Sequence, residues 1–229
     1  MIVCENLSKT FGEVKALQDV NLKIEKGKII GLLGTNGSGK TTLLKLIIGL
    51  LEPSSGNIKI NSQKVGVETK KVIAYLPENN ALDLSLSVKE LIQYFADFYI
   101  DFNKEKAEKL LKKLEINQKS KLKNLSKGTK EKVQLVLTIS RNADFYILDE
   151  PISGVDPAAR DHILDTILSN FNKDASVIMS THLISDIERI LDEVIFMNKG
   201  KIILQGEADP LREERGKSID QIFREEFKC

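Results

Sequence analysis

Ile29-Ile30-Gly31-Leu32-Leu33, running into Gly34-Thr35-Asn36-Gly37-Ser38-Gly39-Lys40-Thr41, decides the fold. The opening run is compact and apolar, bounded by Gly27 and Gly34, which is the pattern of a strand buried on both faces. The segment after it satisfies G-x-x-x-x-G-K-[ST]. Glycines let successive backbone N–H groups turn inward around an anion. A helix expected over 41–50 points its positive N-terminal end at the same place. Lys40 is then set to reach the β- and γ-phosphates of a nucleotide, and the Thr41 hydroxyl to hold Mg²⁺. A buried strand before the glycine loop and a helix after it are the context that confirms a phosphate loop.

Working outward, Phe145-Tyr146-Ile147-Leu148-Asp149-Glu150 reads as an apolar strand ending in two carboxylates. Strand C-terminal ends converge on the ligand crevice of a parallel sheet, so both acids can meet the phosphates. Asp149 is expected to hold Mg²⁺ through its water shell, and Glu150 to orient or deprotonate the attacking water. Further buried strands are predicted over 72–76 and 176–179. A hairpin is predicted over 193–197 and 201–205 around Asn198-Lys199-Gly200. Between residues 77 and 142 the pattern turns helical. Ser87-Val88-Lys89-Glu90 is a capping box, and Ala107, Leu110, Leu111 and Leu114 form one apolar face. Leu164, Ile167, Leu168 and Phe171 repeat that spacing between two predicted strands. The alternation predicts an α/β fold with a helical lobe inserted near residues 80–142.

Composition narrows the function classes. The chain has 229 residues, 41% apolar and 29% charged, an ordinary globular mix. Its 34 Lys plus Arg against 33 Asp plus Glu leave a formal charge of +1, so the large basic excess of nucleic-acid binders is absent. The near-balance hides a polarity: residues 104–132 carry eleven lysines and four glutamates, while 142–197 carry eleven acids and three bases. The first block reads as a solvated helical face or as a surface for an acidic partner. No apolar run is long enough to span a bilayer. Cys4 and Cys229 are too few and too far apart for a disulfide framework or a metal site. The expected compartment is the cytosol.

Leu125-Ser126-Lys127-Gly128-Thr129, ahead of Asp149 and opening a predicted helix, resembles the LSGGQ signature of ATP-binding cassette (ABC) ATPases. Other motifs of that family follow in order. Phe11-Gly12 is similar to the A-loop that stacks on adenine, and Glu78, after Tyr75-Leu76-Pro77, stands at the Q-loop. Ser153-Gly154-Val155-Asp156 resembles the D-loop, and His182 in Ser180-Thr181-His182 the switch histidine. Three positions depart from the family pattern: Lys127 replaces a glycine, Thr129 a glutamine, and Glu78 the usual Gln.

The resemblance implies a P-loop NTPase core of RecA type, with an N-terminal antiparallel β-subdomain and an α-helical subdomain. Residues 1–80 and 143–206 would form the first two parts, 81–142 the helical one, and 207–229 a short charged tail. It implies ATP and Mg²⁺ as cofactors. Phe11, Gly34, Asn36, Gly37, Ser38, Gly39, Lys40, Thr41, Thr42, Ser126 and Gly128 would bind nucleotide, and Thr41, Glu78 and Asp149 the metal. Glu150, His182 and Lys40 would be catalytic. Ser126 and Gly128 would serve the γ-phosphate of a second ATPase chain, since family cassettes pair head to tail. Integral-membrane subunits would be the other partners, with no nucleic acid expected. The chain would then sit on the inner face of the cell membrane and power an exporter. The competing reading is a soluble ABC ATPase with no transport role, and co-purifying membrane proteins would separate the two.

Overall fold

The computed structural model describes residues 1–79, 81–153, 155–172 and 174–227, with the backbone alone at 158, 159 and 162. Gly154 of the expected D-loop and Cys229 therefore lie outside the described residues. The chain folds into two sheets with helices around them. β1 (Ile2–Phe11), β2 (Val14–Ile24), β4 (Ser55–Ile60) and β5 (Gln63–Lys64) form an antiparallel sheet in the order β2-β1-β4-β5.

The larger sheet holds β3 (Ile29–Leu33), β6 (Ile73–Leu76), β7 (Phe145–Asp149), β8 (Ser176–Thr181), β9 (Glu193–Asn198) and β10 (Lys201–Glu207). Its order is β10-β9-β3-β8-β7-β6, parallel throughout except for the edge hairpin partner β10. The strand that feeds the glycine loop is thus central, with β8 and β9 on its flanks. Alternate residues of β3 face opposite cores: Ile30 and Leu32 join the one shared with the small sheet, Leu33 the one shared with the helices. Burial on both faces explains why these strands read as unbroken apolar runs.

α1 (Lys40–Ile47) ends earlier than the apolar run to Leu50 predicts, because Gly49 takes φ 69° and ends the helix. α2 (Val67–Lys71) is a short turn before β6. α3 (Val88–Phe98), α4 (Lys104–Lys113) and α5 (Lys127–Ile139) pack on one another. Their starts follow the sequence: Ser87 and Glu90 form the predicted capping box, and Asn103 and Ser126 cap α4 and α5. Arg141 fastens these helices to the sheet. It pairs with Asp101 at 3.0 Å, donates to the carbonyls of Ile73 and Lys71, and lies 4.0 Å from the Tyr99 ring centroid.

Beyond the sheet, α6 (Pro157–Leu168) and the short α7 (Ile184–Ile187) complete the core. The expected charged tail is in fact two packed helices, α8 (Ala208–Arg215) and α9 (Ile219–Glu226). Its charges hide an apolar stripe, since Ile219, Ile222 and Phe223 fall at i, i+3, i+4 and are buried. A Ser218–Gln221 capping box starts that last helix. Cys4 is buried in the small-sheet core, and burial pushes its thiol up to about 12, so it offers no nucleophile near neutral pH.

Candidate nucleotide site

The glycine loop joins the C-terminal end of β3 to the start of α1. Its shape demands glycine at both ends. A Cβ at Gly34 would lie 2.5 Å from the Met197 carbonyl oxygen and 2.5 Å from Ser38 Oγ. Gly39 sits at φ 106°, a left-handed backbone that disfavours side chains, with its would-be Cβ 2.7 Å from the Ala16 carbonyl. α1 begins with no side-chain cap and no acid in its first turn. Its first N–H groups are therefore available to an anion. The buried Ser38 hydroxyl has no hydrogen-bond partner, a deficit worth about 1–3 kcal/mol that a ligand oxygen would relieve.

Lys40 is folded back into the loop. Its Nζ donates to the Gly34 carbonyl at 2.8 Å and the Thr35 carbonyl at 3.3 Å, and stands 3.9 Å from Glu150 Oε1. Burial lowers its pKa from the ordinary lysine value, with Glu150, Asp149 and Glu78 pulling the other way. The ammonium is thus held on neutral carbonyls beside a carboxylate, and phosphate oxygens would be stronger partners.

The two acids arrive together on β7. Asp149 is 1% exposed; its Oδ1 accepts from Thr41 Oγ1 at 3.2 Å and from Ser180 Oγ at 2.5 Å. Its Oδ2 is buried and has no partner. Glu150 follows at φ 52°, a left-handed conformation that costs a non-glycine residue about 1–2 kcal/mol. Its N–H donates to the Ser180 carbonyl at 3.0 Å and to Ser180 Oγ at 3.1 Å. The bend turns its side chain toward His182, whose Nδ1 lies 3.1 Å from Oε2 and 3.2 Å from Oε1. Lys40, Glu150 and His182 form one chain of contacts, drawn from three separate sequence segments. Ser153 Oγ also donates to the Glu150 carbonyl at 3.2 Å, tying the next loop to the same residue.

A cleft of about 450 Å³ opens beside Lys40 and Glu150. Asn36, Gly37, Ser38, Gly39, Lys40, Thr41 and Thr42 line it, together with Glu78 and Glu150. Its other wall was not legible in the sequence: Val14, Lys15, Ala16, Gln18, Lys199 and Gly200. The β9–β10 turn is tied to both sides of it. Gly200 N donates to the Ser38 carbonyl at 2.9 Å, Gln18 N to the Gly200 carbonyl at 2.8 Å, and Gln18 Nε2 to the Lys199 carbonyl at 2.9 Å. The hairpin signal marked that turn but not its contact with the phosphate loop.

Phe11 stands outside the cleft lining. It is 47% exposed at the tip of β1, with Lys9 Nζ 5.1 Å from its ring centroid. It pairs in register with Val14, which does line the cleft. Ser126 and Gly128 also lie away from the cleft, at the start of α5. Ser126 Oγ accepts from Thr129 N at 3.2 Å, and the two hydroxyl oxygens are 2.8 Å apart. Thr129 thus joins the cap of its own helix. Gly128 has nothing within 4 Å of where a Cβ would be.

A second hollow of about 540 Å³ runs between the helices and the sheet edge, lined by Tyr75, Pro77, Leu86, Tyr94, Phe95 and Gln134 among others. Pro77 faces this groove while its neighbour Glu78 faces the nucleotide cleft. The loop after β6 therefore touches both.

A parallel sheet carrying this phosphate loop and these paired acids defines a nucleotide-hydrolysing class. The family described as ABC transporter matches residues 17–153. An uncharacterized ABC transporter ATP-binding protein of Methanocaldococcus jannaschii is 35% identical over 215 residues, spanning 92% of this chain and 79% of that protein. A solved structure titled as the ATP binding subunit of an ABC transporter superposes with TM-score 0.86 at 32% identity, covering 98% of each chain. A dimeric cassette in a post-hydrolysis state, bound to ADP and Pi, shares the fold at TM-score 0.79 and 23% identity, covering 90% of this chain and 98% of that one. The chain belongs to the ABC transporter family, as one of its ATP-binding ATPase cassettes.

Proposed function

We propose that this cassette hydrolyses ATP between two paired chains and passes the resulting motion to separate membrane subunits of an exporter. The observation that carries the reading is the contact chain Lys40–Glu150–His182, whose first two members line the phosphate-loop cleft. Asn36 to Thr42 cradle the phosphates with backbone N–H groups, and Lys40 leaves its two carbonyls for the β- and γ-oxygens. Glu150 accepts a proton from the attacking water, and His182 orients that carboxylate and senses the γ-phosphate. Phe11 offers its exposed ring to the adenine.

The residues present fit a magnesium ion. Asp149 Oδ2 is buried without a partner, and the Thr41 hydroxyl lies beside the same carboxylate. Among the described residues no group of three or more His, Cys, Asp or Glu is placed to hold a metal ion by itself. Magnesium needs none, because it is held by one or two carboxylates plus substrate phosphates. Thr41 and Asp149 would hold it, with Glu78 as a further oxygen donor from the loop opposite. Bound there, it would supply neutralisation of the phosphates' negative charge.

Ser126 and Gly128 stand away from the chain's own cleft, which supports their serving a second cassette's nucleotide. No described helix is long and apolar enough to cross a membrane, so transport would rest on membrane subunits, with the cassette peripheral on the cytoplasmic face. Their cytoplasmic helices would enter the groove beside Tyr94 and Pro77, and the Pro77-Glu78 step would relay their position to the cleft. The export direction rests on the Leu76-Pro77-Glu78 loop, which resembles that of antibiotic- and peptide-exporter ATPases.

The test is Glu150→Gln, which keeps size and hydrogen bonding but removes the base. Hydrolysis is expected to fall by about two to four orders of magnitude, with ATP binding retained and an ATP-dependent dimer accumulating in light scattering. A variant turning over at the normal rate removes Glu150 from the mechanism.

A further inference from the structure

We propose that Ser180 is a positioning residue that locks Asp149 and Glu150 into one rigid unit. The inference rests on the ATPase reading above and adds to it the group that aligns the two acids. Ser180 lies in β8, between the strand that feeds the phosphate loop and the strand that carries the acids. It is fully buried.

A serine hydroxyl has one proton to give and lone pairs to receive. Here both capacities are used on neighbouring catalytic positions. The proton goes to Asp149 Oδ1 at 2.5 Å, and the oxygen accepts the Glu150 N–H at 3.1 Å. The first bond occupies Oδ1, together with Thr41, and leaves the buried Oδ2 as the free oxygen. The second helps hold Glu150 in its left-handed backbone, the bend that delivers its carboxylate to Lys40 and His182. The Ser180 carbonyl also accepts from Glu150 N at 3.0 Å, but a main-chain oxygen cannot reach both acids. Only the hydroxyl couples the metal-side carboxylate to the water-side one.

Strained backbone persists where its surroundings over-determine it, and this hydroxyl is one of the determinants. Without it, Asp149 regains side-chain freedom and the turn at Glu150 loses one of its two N–H acceptors. The expected defect is therefore in alignment, and the phosphate loop itself is untouched.

The experiment compares Ser180→Thr with Ser180→Val in the full chain. The two replacements have the same shape and differ only in the hydroxyl, so any effect of added bulk is common to both. Steady-state ATP hydrolysis is read beside the affinity for a fluorescent ADP, measured once with Mg²⁺ and once with EDTA. Ser180→Thr is expected to stay within about threefold of the natural protein in each readout. Ser180→Val is expected to lose about ten- to a hundredfold in kcat, the scale of a misplaced catalytic group. Its affinity in EDTA should be unchanged, while the gain in affinity on adding Mg²⁺ shrinks. A merely structural serine would lower the EDTA affinity too, so parallel losses in both conditions overturn the proposal. Equal kcat and equal Mg²⁺ gain in the two variants also overturn it. Glu150→Gln run alongside separates the failures. Normal turnover there sinks the general-base reading and leaves Ser180 to be judged on the Mg²⁺ arm alone.

Discussion

The phosphate loop and the signature segment both begin helices that can meet phosphate, yet they are built in opposite ways. At the loop, Lys40 is buried, Asp149 carries two hydroxyl bonds, and a Cβ at Gly34 would strike backbone oxygen at 2.5 Å. At the signature, Ser126 is exposed and bonds only within its own helical turn, and Gly128 faces open space. One site is completed by its own chain through long-range contacts. The other, among the described residues, is capped by bonds within its own helical turn and faces open space at Gly128. On the proposed reading, the interior site would serve a small ligand and the surface site a second cassette holding that ligand.

The largest expected effect breaks the first region while sparing the second. Lys40→Ala removes the mobile cation but leaves the backbone cradle, so hydrolysis should drop by about 10²–10³-fold or more, with weaker nucleotide binding in the single chain. Turnover assays and nucleotide titration check this. Ser126→Arg is the mirror experiment. Each chain should bind ATP normally, but in the Glu150→Gln background the ATP-dependent dimer should fail to form by light scattering. Weakened binding in the monomer would show that the signature belongs to its own cleft, and the contrast would collapse.

Smaller effects sharpen the comparison. Glu78→Gln should preserve nucleotide binding and change, by about a few-fold, how strongly a reconstituted membrane partner stimulates hydrolysis, since a charged group couples to Mg²⁺ and phosphate where an amide does not. Unchanged stimulation would remove Glu78 from the coupling path. The smallest effect is at Gly128. Because a Cβ there meets nothing within 4 Å, Gly128→Ala should stabilise the isolated chain by about 0.5–1 kcal/mol through helix propensity. Denaturant titration would show it, and a loss of stability would mean that the open space is filled in the folded monomer.

Much of this was legible in the residue order. Periodicity placed the central strands to within two or three residues, because burial on both faces writes an uninterrupted apolar run. It placed the capped start of α3 because that cap is a local bond between Ser87 and Glu90. The small antiparallel sheet was reached only by resemblance. β1 and β2 pair with register shifts at several points, which blurs their alternation. The last two helices were hidden by their charges, since Ile219, Ile222 and Phe223 are few among many polar neighbours.

By itself, then, the sequence determined the kind of ligand, a nucleotide, and the residue types proposed to meet it. Glycine spacing, a lysine, a hydroxyl and two acids at a strand end are local patterns, and their chemistry travels with them. Only the tertiary structure decided which of them touch. Ser180 reaches across 31 positions to Asp149, and Gly200 closes on Ser38 across a still longer separation. Gln18 reaches Lys199, and the Ala16 carbonyl is what crowds Gly39. Such contacts are set by which strands become neighbours in the sheet. That choice is made by the collective burial of two apolar cores, and no short stretch of residues carries it.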